Sequence, residues 1–121
     1  MGTFDSVERV RPYKIWDGAV ARAVHGRAIT MAIVDVDAGV DVPTHQHANE
    51  QVGFVLRGSI VMTVDGEERE LQVGETYVIH GDTPHKAVGG PDGASVVDVF
   101  SPPCADWERL ERLEPSAGAW P

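Results

Sequence analysis

Turn-forming residues interrupt this chain roughly every eight to twelve residues, and that spacing limits what it can fold into. The turn signals lie at residues 37–39, at Asp65-Gly66, at Gly74-Glu75 and at residues 81–84. Asp65-Gly66 is typical of a tight β-hairpin, because its glycine accepts a positive φ angle. Many short strands separated by such turns predict an antiparallel all-β sandwich or barrel.

The segments between the turns have the composition of strands. Residues 28–36 are rich in β-branched side chains, and two extended runs, 51–57 and 59–65, flank a bend at Gly58. Residues 89–93, Gly-Gly-Pro-Asp-Gly, are predicted to form the most flexible loop. The pattern fits an eight-stranded jelly roll.

A chain of 121 residues fits a single domain. We assign residues 1–14 to an N-terminal arm, 15–114 to the barrel and 115–121 to a C-terminal tail expected to lack regular structure. Only residues 106–114 are predicted to be helical. Asp106 can cap that helix, and apolar side chains recur along it at a three-residue spacing.

The balance of charge argues against two classes of partner. Ten basic and 19 acidic residues give a net charge of −9, which repels nucleic-acid phosphates and anionic membrane surfaces. A small anionic substrate stays possible, because a bound metal ion can outweigh that charge locally. A single cysteine, Cys104, allows no intrachain disulfide. With no apolar run of membrane-spanning or signal-peptide type, we expect a cytoplasmic protein.

A histidine pair marks the candidate site. His45 and His47 are one residue apart, so in an extended segment both side chains point to the same face. If the extended phase continues, Gln51 shares that face and Glu50 does not. A third imidazole is available at His85, just after a proline. We expect these side chains to hold one metal ion inside the barrel.

Two motifs in this chain resemble those of the cupins, in particular small single-domain cupins of the conserved-barrel type. The first motif contains Gly39, His45, His47, Gln51 and Gly58; the second contains Gly74, His80, residues 81–84 and His85. The resemblance covers residues 39–88 and implies a jelly-roll barrel with one metal ion. It implies His45, His47 and His85 as ligands, with Gln51 where cupins usually have a glutamate.

The ligand set that the resemblance implies is electrically neutral. Three imidazoles and an amide would leave a divalent ion its full +2 charge, whereas a carboxylate ligand would halve it. Such a site should favour Lewis-acid chemistry on an anionic or enolic substrate over oxygen chemistry that needs a higher oxidation state. The donor atoms suit Zn, Ni, Fe, Mn or Co.

Within the cupins, the chain looks most like the small pectin-degradation type, which opens unsaturated galacturonate-type sugars to a linear keto form. The likeness lies in residues 45–51, 74–79 and 98–103. It implies Asp98 as an acid–base group and Phe100 as a ring lining the substrate cavity. The arginine that grips the substrate carboxylate in those enzymes is replaced by Cys104.

Other roles stay open for some of these residues. His80 shares strand parity with Val78 and is assigned as a second acid–base group in the cavity, the alternative being an exposed histidine. Asp98 is alternatively a buried carboxylate satisfied by backbone donors. Cys104 has no evident activating base, which favours an inert thiol over a nucleophile.

The function expected from these observations is a metal-dependent isomerase or lyase of carbohydrate metabolism, acting on a small oxygenated acid or sugar-derived, uronate-like substrate. One alternative is a metal-dependent dioxygenase, which oxygen uptake would reveal. Another is a cupin that binds a small ligand without catalysis. Small cupins pair through their barrels, so the resemblance also implies a homodimer.

Overall fold

Eight strands and one short 3₁₀ helix make up the computed structural model, which describes residues 2–120. The strands are β1 Tyr13–Trp16, β2 Ala19–His25, β3 Thr30–Val36, β4 Asp41–His45, β5 Glu50–Val64, β6 Glu67–Gln72, β7 Thr76–Ile79 and β8 His85–Ser101. All pairs are antiparallel, and the strand order is β1-β2-β3-β8-β5-β6, with β4 on β8 and β7 on β5. The predicted all-β jelly roll is confirmed.

Two long strands connect the halves of the barrel. β5 spans 15 residues and β8 spans 17, and they pair with each other along most of their length. The first part of β5 also pairs with β7 and its second part with β6. In the same way β8 pairs first with β4 and then with β3. Each long strand therefore carries the chain from one layer of the barrel to the other.

The bend predicted at Gly58 lies inside β5 and does not separate two strands. Gly58 has a φ angle of 70°, and the β5–β8 register shifts on both sides of it. A Cβ atom at Gly58 would overlap the carbonyl oxygen of Gly93. The strand therefore turns at a residue without a side chain, where the two backbones approach closely.

The prediction of a flexible loop at residues 89–93 is wrong, because these residues belong to β8. A Cβ atom at Gly89 would lie 2.3 Å from the carbonyl oxygen of Asp37, and one at Gly90 would overlap Ser59. These glycines allow neighbouring chains to pack against β8. The composition that suggests flexibility reflects tight packing instead.

The C-terminal helix predicted at residues 106–114 is shorter than expected, because only Ala105–Arg109 is helical, as a 3₁₀ turn. Its N-cap is Cys104, with no side-chain capping bond, so Asp106 does not cap it. Beyond it the backbone pairs with the N-terminal segment: the Leu113 amide donates to the Pro12 carbonyl at 2.8 Å. That extended pairing takes the place of the rest of the predicted helix. Trp107, in the 3₁₀ turn, packs against the core.

Residues 115–120, the described part of the tail, have no regular structure, yet they are anchored. Arg22 and Asp35 form a largely buried ion pair at 3.1 Å. The Arg22 guanidinium donates to the carbonyl oxygen of Ser116 at 3.1 Å, and the Ala119 amide donates to Asp35 at 2.9 Å. In the part of the chain described, no helix is long and apolar enough to cross a membrane.

Replacing Gly58 by alanine tests the bend. Gly74 is the control, because it has a positive φ angle of 87° but open space around it. We expect Gly74→Ala to cost about 1 kcal/mol of unfolding free energy from backbone strain alone. Gly58→Ala adds the overlap with Gly93 and should cost about 2 kcal/mol more. Urea unfolding measures both; equal losses would contradict the close approach.

Candidate functional site

Three histidines from separate segments converge at one end of the barrel. His45 at the end of β4 and His85 at the start of β8 are cross-strand partners, with ring centroids 4.3 Å apart. His47 follows β4, and its ring centroid lies 5.0 Å from that of His85. One ring nitrogen from each histidine lies within 4.8 Å of the others, close enough for a single ion to contact all three.

Backbone carbonyl groups orient all three rings. The Nδ1 atoms of His45, His47 and His85 donate to the carbonyl oxygens of Pro43, Asn49 and Thr83 at 2.9, 3.0 and 2.8 Å, respectively. Because a carbonyl oxygen only accepts, each Nδ1 carries the proton of the neutral imidazole. Each Nε2 is then left with a lone pair, as in a metal-binding histidine whose other nitrogen is held by the protein.

Gln51 completes this cluster from β5. It is buried, and its Oε1 lies 3.2 Å from Nε2 of His47. Gln51 also contributes to lowering the pKa of the Asp98 carboxyl, an effect for which its NH₂ group is the donor and which agrees with Oε1 facing His47. Two lone-pair atoms thus face each other, an arrangement that a cation between them would stabilise. Glu50 points outward, so the parity prediction that Gln51 shares the inner face is confirmed.

The residues present fit a divalent metal ion. Nε2 of His85 is buried and has no hydrogen-bond partner. Burial lowers the pKa of His85 to about 4; the bond to Thr83 opposes this shift, and the neighbouring histidines add to it. The imidazole is therefore neutral near pH 7, and its lone pair would be costly to bury unpaired.

A carboxylate and a phenol meet beside the histidines. The cross-strand row Tyr77 on β7, Gly53 on β5 and Asp98 on β8 brings the outer two residues to either side of a glycine. The Tyr77 hydroxyl donates to Oδ1 of Asp98 in a very short hydrogen bond. A Cβ atom at Gly53 would lie 2.6 Å from that hydroxyl oxygen and would overlap the carboxylate. The absent side chain is therefore what lets the two groups meet.

Burial dominates the electrostatics of this pair. It raises the pKa of Asp98 to about 6, although the hydrogen bonds from Tyr77 and Gln51 oppose the shift. Burial also raises the pKa of Tyr77 well above its usual range, and the Asp98 charge adds to that effect. Tyr77 is therefore a neutral donor that holds one oxygen of Asp98.

Tyr77 is a residue that sequence reasoning missed, and His80 is one that it misplaced. On β7, Tyr77 and Ile79 face the interior of the barrel, whereas Thr76 and Val78 face outward. His80 continues the outward parity: its side chain is 78% exposed and its Nδ1 lies 3.2 Å from Glu50. The assignment of His80 to the cavity is therefore wrong. Nothing in the sequence signals the parity of β7, because the outward-facing Val78 is as apolar as the buried Ile79.

The histidines, Gln51 and Asp98 line one end of a cavity of about 380 Å³. Phe100 also lines it, with its ring edge-to-face with His47 at a centroid distance of 5.7 Å. Cys104 is not among the described residues that line it, being packed in the core with its amide bonded to Thr30. Burial raises the pKa of the Cys104 thiol to about 12, so it is uncharged.

Comparison with known proteins identifies the family. Residues 32–100, more than half of the chain, match the family model described as "Cupin domain". The chain belongs to the cupin family. The matched residues include the histidine cluster, Gln51, Asp98 and Phe100, so the cavity is that of the cupin barrel.

Several relatives of this cupin have names that point to enzymes. Over 80 residues it is 30% identical to the pectin degradation protein KdgF of Dickeya dadantii, covering 65% of this chain and 73% of that protein. Over 85 residues it is 31% identical to the dimethylsulfoniopropionate lyase DddW of Ruegeria pomeroyi, covering 70% of this chain but only 55% of the lyase. The solved structure of KdgF from Halomonas sp. matches with a TM-score of 0.78 at 28% identity, covering 88% of this chain and 98% of that one.

Metal content tests the site directly. We expect the purified cupin to hold about one divalent ion per chain after dialysis, because a nitrogen from each of three histidines lies within 4.8 Å of the others and the Gln51 oxygen lies 3.2 Å from His47. His45→Ala and His85→Ala should each abolish this, whereas His80→Ala, which removes an outward-facing histidine, should not. Elemental analysis measures the metal content. A metal-free wild-type protein that resists reloading would contradict the assignment.

Proposed function

We propose that this cupin holds one divalent ion through His45, His47, His85 and Gln51 and is a Lewis-acid isomerase or lyase. The observation that carries the proposal is that three imidazoles, each held at Nδ1 by a backbone carbonyl, bring one ring nitrogen apiece within 4.8 Å of the others, in the cavity that the buried Asp98 also lines. A bound Zn, Ni, Fe, Mn or Co ion supplies polarisation of a substrate carbonyl or hydroxyl oxygen. The enzyme names among the relatives support a catalytic role.

Asp98 is the residue that we propose moves the proton. It is 5% exposed and lines the same cavity as the histidines, so a substrate bound there lies next to its carboxylate. Tyr77 holds Oδ1 from one side, and Gln51 also bonds to the carboxylate. These bonds fix the carboxylate in one orientation, which general acid–base catalysis requires. The outward position of His80 leaves it no part in this step.

The substrate is a small molecule with oxygen atoms that reach the histidine cluster. The neutral ligand set would leave a divalent ion its full charge, which favours a substrate with an anionic or enolic oxygen at this point. Similarity to a pectin degradation protein supports a role in carbohydrate metabolism and a sugar-derived acid as one candidate. Against a sugar acid stands Cys104, because a neutral, buried thiol cannot bind a carboxylate as an arginine does.

Solvent deuterium exchange tests the proton transfer. Zinc-loaded wild-type protein in D₂O should exchange hydrogen on the carbon beside the carbonyl of small 2-oxo acids, as followed by NMR. Asp98→Asn should lower the exchange rate about a hundredfold or more at unchanged zinc content, and His80→Ala should leave it unchanged. Equal rates in Asp98→Asn and wild type would remove Asp98 from the mechanism. Oxygen consumption by iron-loaded protein without deuterium exchange would favour a dioxygenase instead.

We also propose that two copies of the chain pair through the outer face of the barrel. Two cross-strand rows on this face carry apolar side chains: Met31, Val99, Val52 and Val78 in one row, and Ile33, Val97 and Phe54 in the next. Val52, Phe54 and Val78 are 39%, 39% and 54% exposed. An exposed apolar patch of this kind marks an interaction surface. A second copy presents the same face and so matches it.

A charge placed in this patch tests the pairing. Val52→Glu should weaken the dimer at least a hundredfold, because it would bury an unpaired carboxylate between two apolar surfaces. Val73→Glu is the matched control, since Val73 is 61% exposed but lies in the turn before β7. Analytical ultracentrifugation measures the dissociation constant. A monomeric wild-type protein at high micromolar concentration would contradict the proposal.

A further inference from the structure

The cavity beside the histidine cluster has polar groups at one end and hydrocarbon over most of its remaining lining. Its volume of about 380 Å³ is at the lower end of the range for small-molecule sites. Two rings extend away from the cluster: Phe100 lies edge-to-face on His47, and Trp107 lies edge-to-face on Phe100 at a centroid distance of 5.4 Å. Side chains such as Val34, Met62 and Leu110 continue the apolar lining.

The charged groups of this cavity do not form a carboxylate-binding site away from the histidines. Among residues 2–120 no arginine lines the cavity, and Lys86 is its one basic side chain other than histidine. The Lys86 ammonium already has a partner, since it lies 3.3 Å from the Asp41 carboxylate. The remaining charged side chains in the lining are Asp98 and Asp106, which repel an anion. A second carboxylate on the substrate would therefore lose its hydration without gaining a partner.

We infer that the cavity accepts a small carbonyl compound whose oxygen atoms reach the histidine cluster and whose remaining part is apolar, either branched or aromatic. The placement of the ligand's oxygen atoms at the histidines depends on the proposed function. The inference that its remaining part is apolar depends on Phe100, Trp107 and the aliphatic side chains of the lining. A flat or branched hydrocarbon group gains contact with these walls and loses no hydrogen bonds to water. A sugar acid carries hydroxyl groups and a distal carboxylate that this lining leaves without partners.

Two matched 2-oxo acids separate these alternatives. The compounds 4-methyl-2-oxopentanoate and 2-oxoglutarate share the same oxygen-bearing head and are similar in size, but their tails are an isobutyl group and a carboxyethyl group. Calorimetric titration of zinc-loaded protein should show at least tenfold tighter binding of the branched acid. Phenylpyruvate, which carries an aromatic tail on the same head, should bind at least as tightly as the branched acid.

Tryptophan variants locate the tail. Trp107→Ala should weaken binding of phenylpyruvate about tenfold and leave zinc content unchanged, because Trp107 lines the cavity but belongs to no ligand set. Trp120→Ala is the matched control: Trp120 is 39% exposed and does not line the cavity, so both binding and zinc content should stay at wild-type values. Equal affinities for phenylpyruvate in Trp107→Ala and wild type would overturn the inference.

Failure of this inference and failure of the proposed function give different results. If zinc binds but 2-oxoglutarate binds as tightly as the branched acid, and Lys86→Met removes that binding, Lys86 is a carboxylate anchor and the apolar-tail inference is wrong. If zinc does not bind, the proposed function fails. The tail preference is then measured on zinc-free protein by tryptophan fluorescence, where quenching by phenylpyruvate but not by 2-oxoglutarate supports the inference and the reverse overturns it.

Discussion

The register between β5 and β8 is the constraint on which both the barrel and its candidate site depend. That pairing sets Gln51 opposite Phe100 and Gly53 opposite Asp98, so three cavity residues and the glycine beside Asp98 are aligned by one run of backbone pairing. A shift of one residue in either strand would turn its inward side chains to the outer face. The bulge at Gly58 separates this part of β5 from its second half without altering the alignment at the site.

The histidine cluster depends on a different kind of support. Its rings come from the end of β4, the segment that follows and the start of β8, where side chains would otherwise have rotational freedom. Backbone carbonyls bind Nδ1 of each ring and so determine both its orientation and its proton position. Because all three ligand atoms and the Gln51 oxygen are neutral, the site would not offset the charge of an ion bound there. With an ion bound there, a strongly acidic chain would present a cationic point inside its barrel.

Strand parity predicted more of the site than hydrophobic patterning did. It predicted that His45 and His47 share one face and that Gln51, not Glu50, points inward. Both predictions concern residues in or next to regular extended backbone. Patterning failed on β7, since this strand has apolar residues on both faces: Ile79 is in the core, but Val78 belongs to the exposed patch. With no polar face to mark the outside, the sequence did not show that His80 points outward and Tyr77 inward.

The other errors arose because sequence reasoning is local and packing is not. The glycine-rich residues 89–93 have the composition of a mobile loop, and only the approach of β5 and the residue 37 backbone shows why side chains are absent. Residues 106–114 have helical spacing, but the N-terminal segment offers their backbone a competing set of hydrogen bonds. Neither partner is adjacent in the chain, so no reading of the segment alone would have found it.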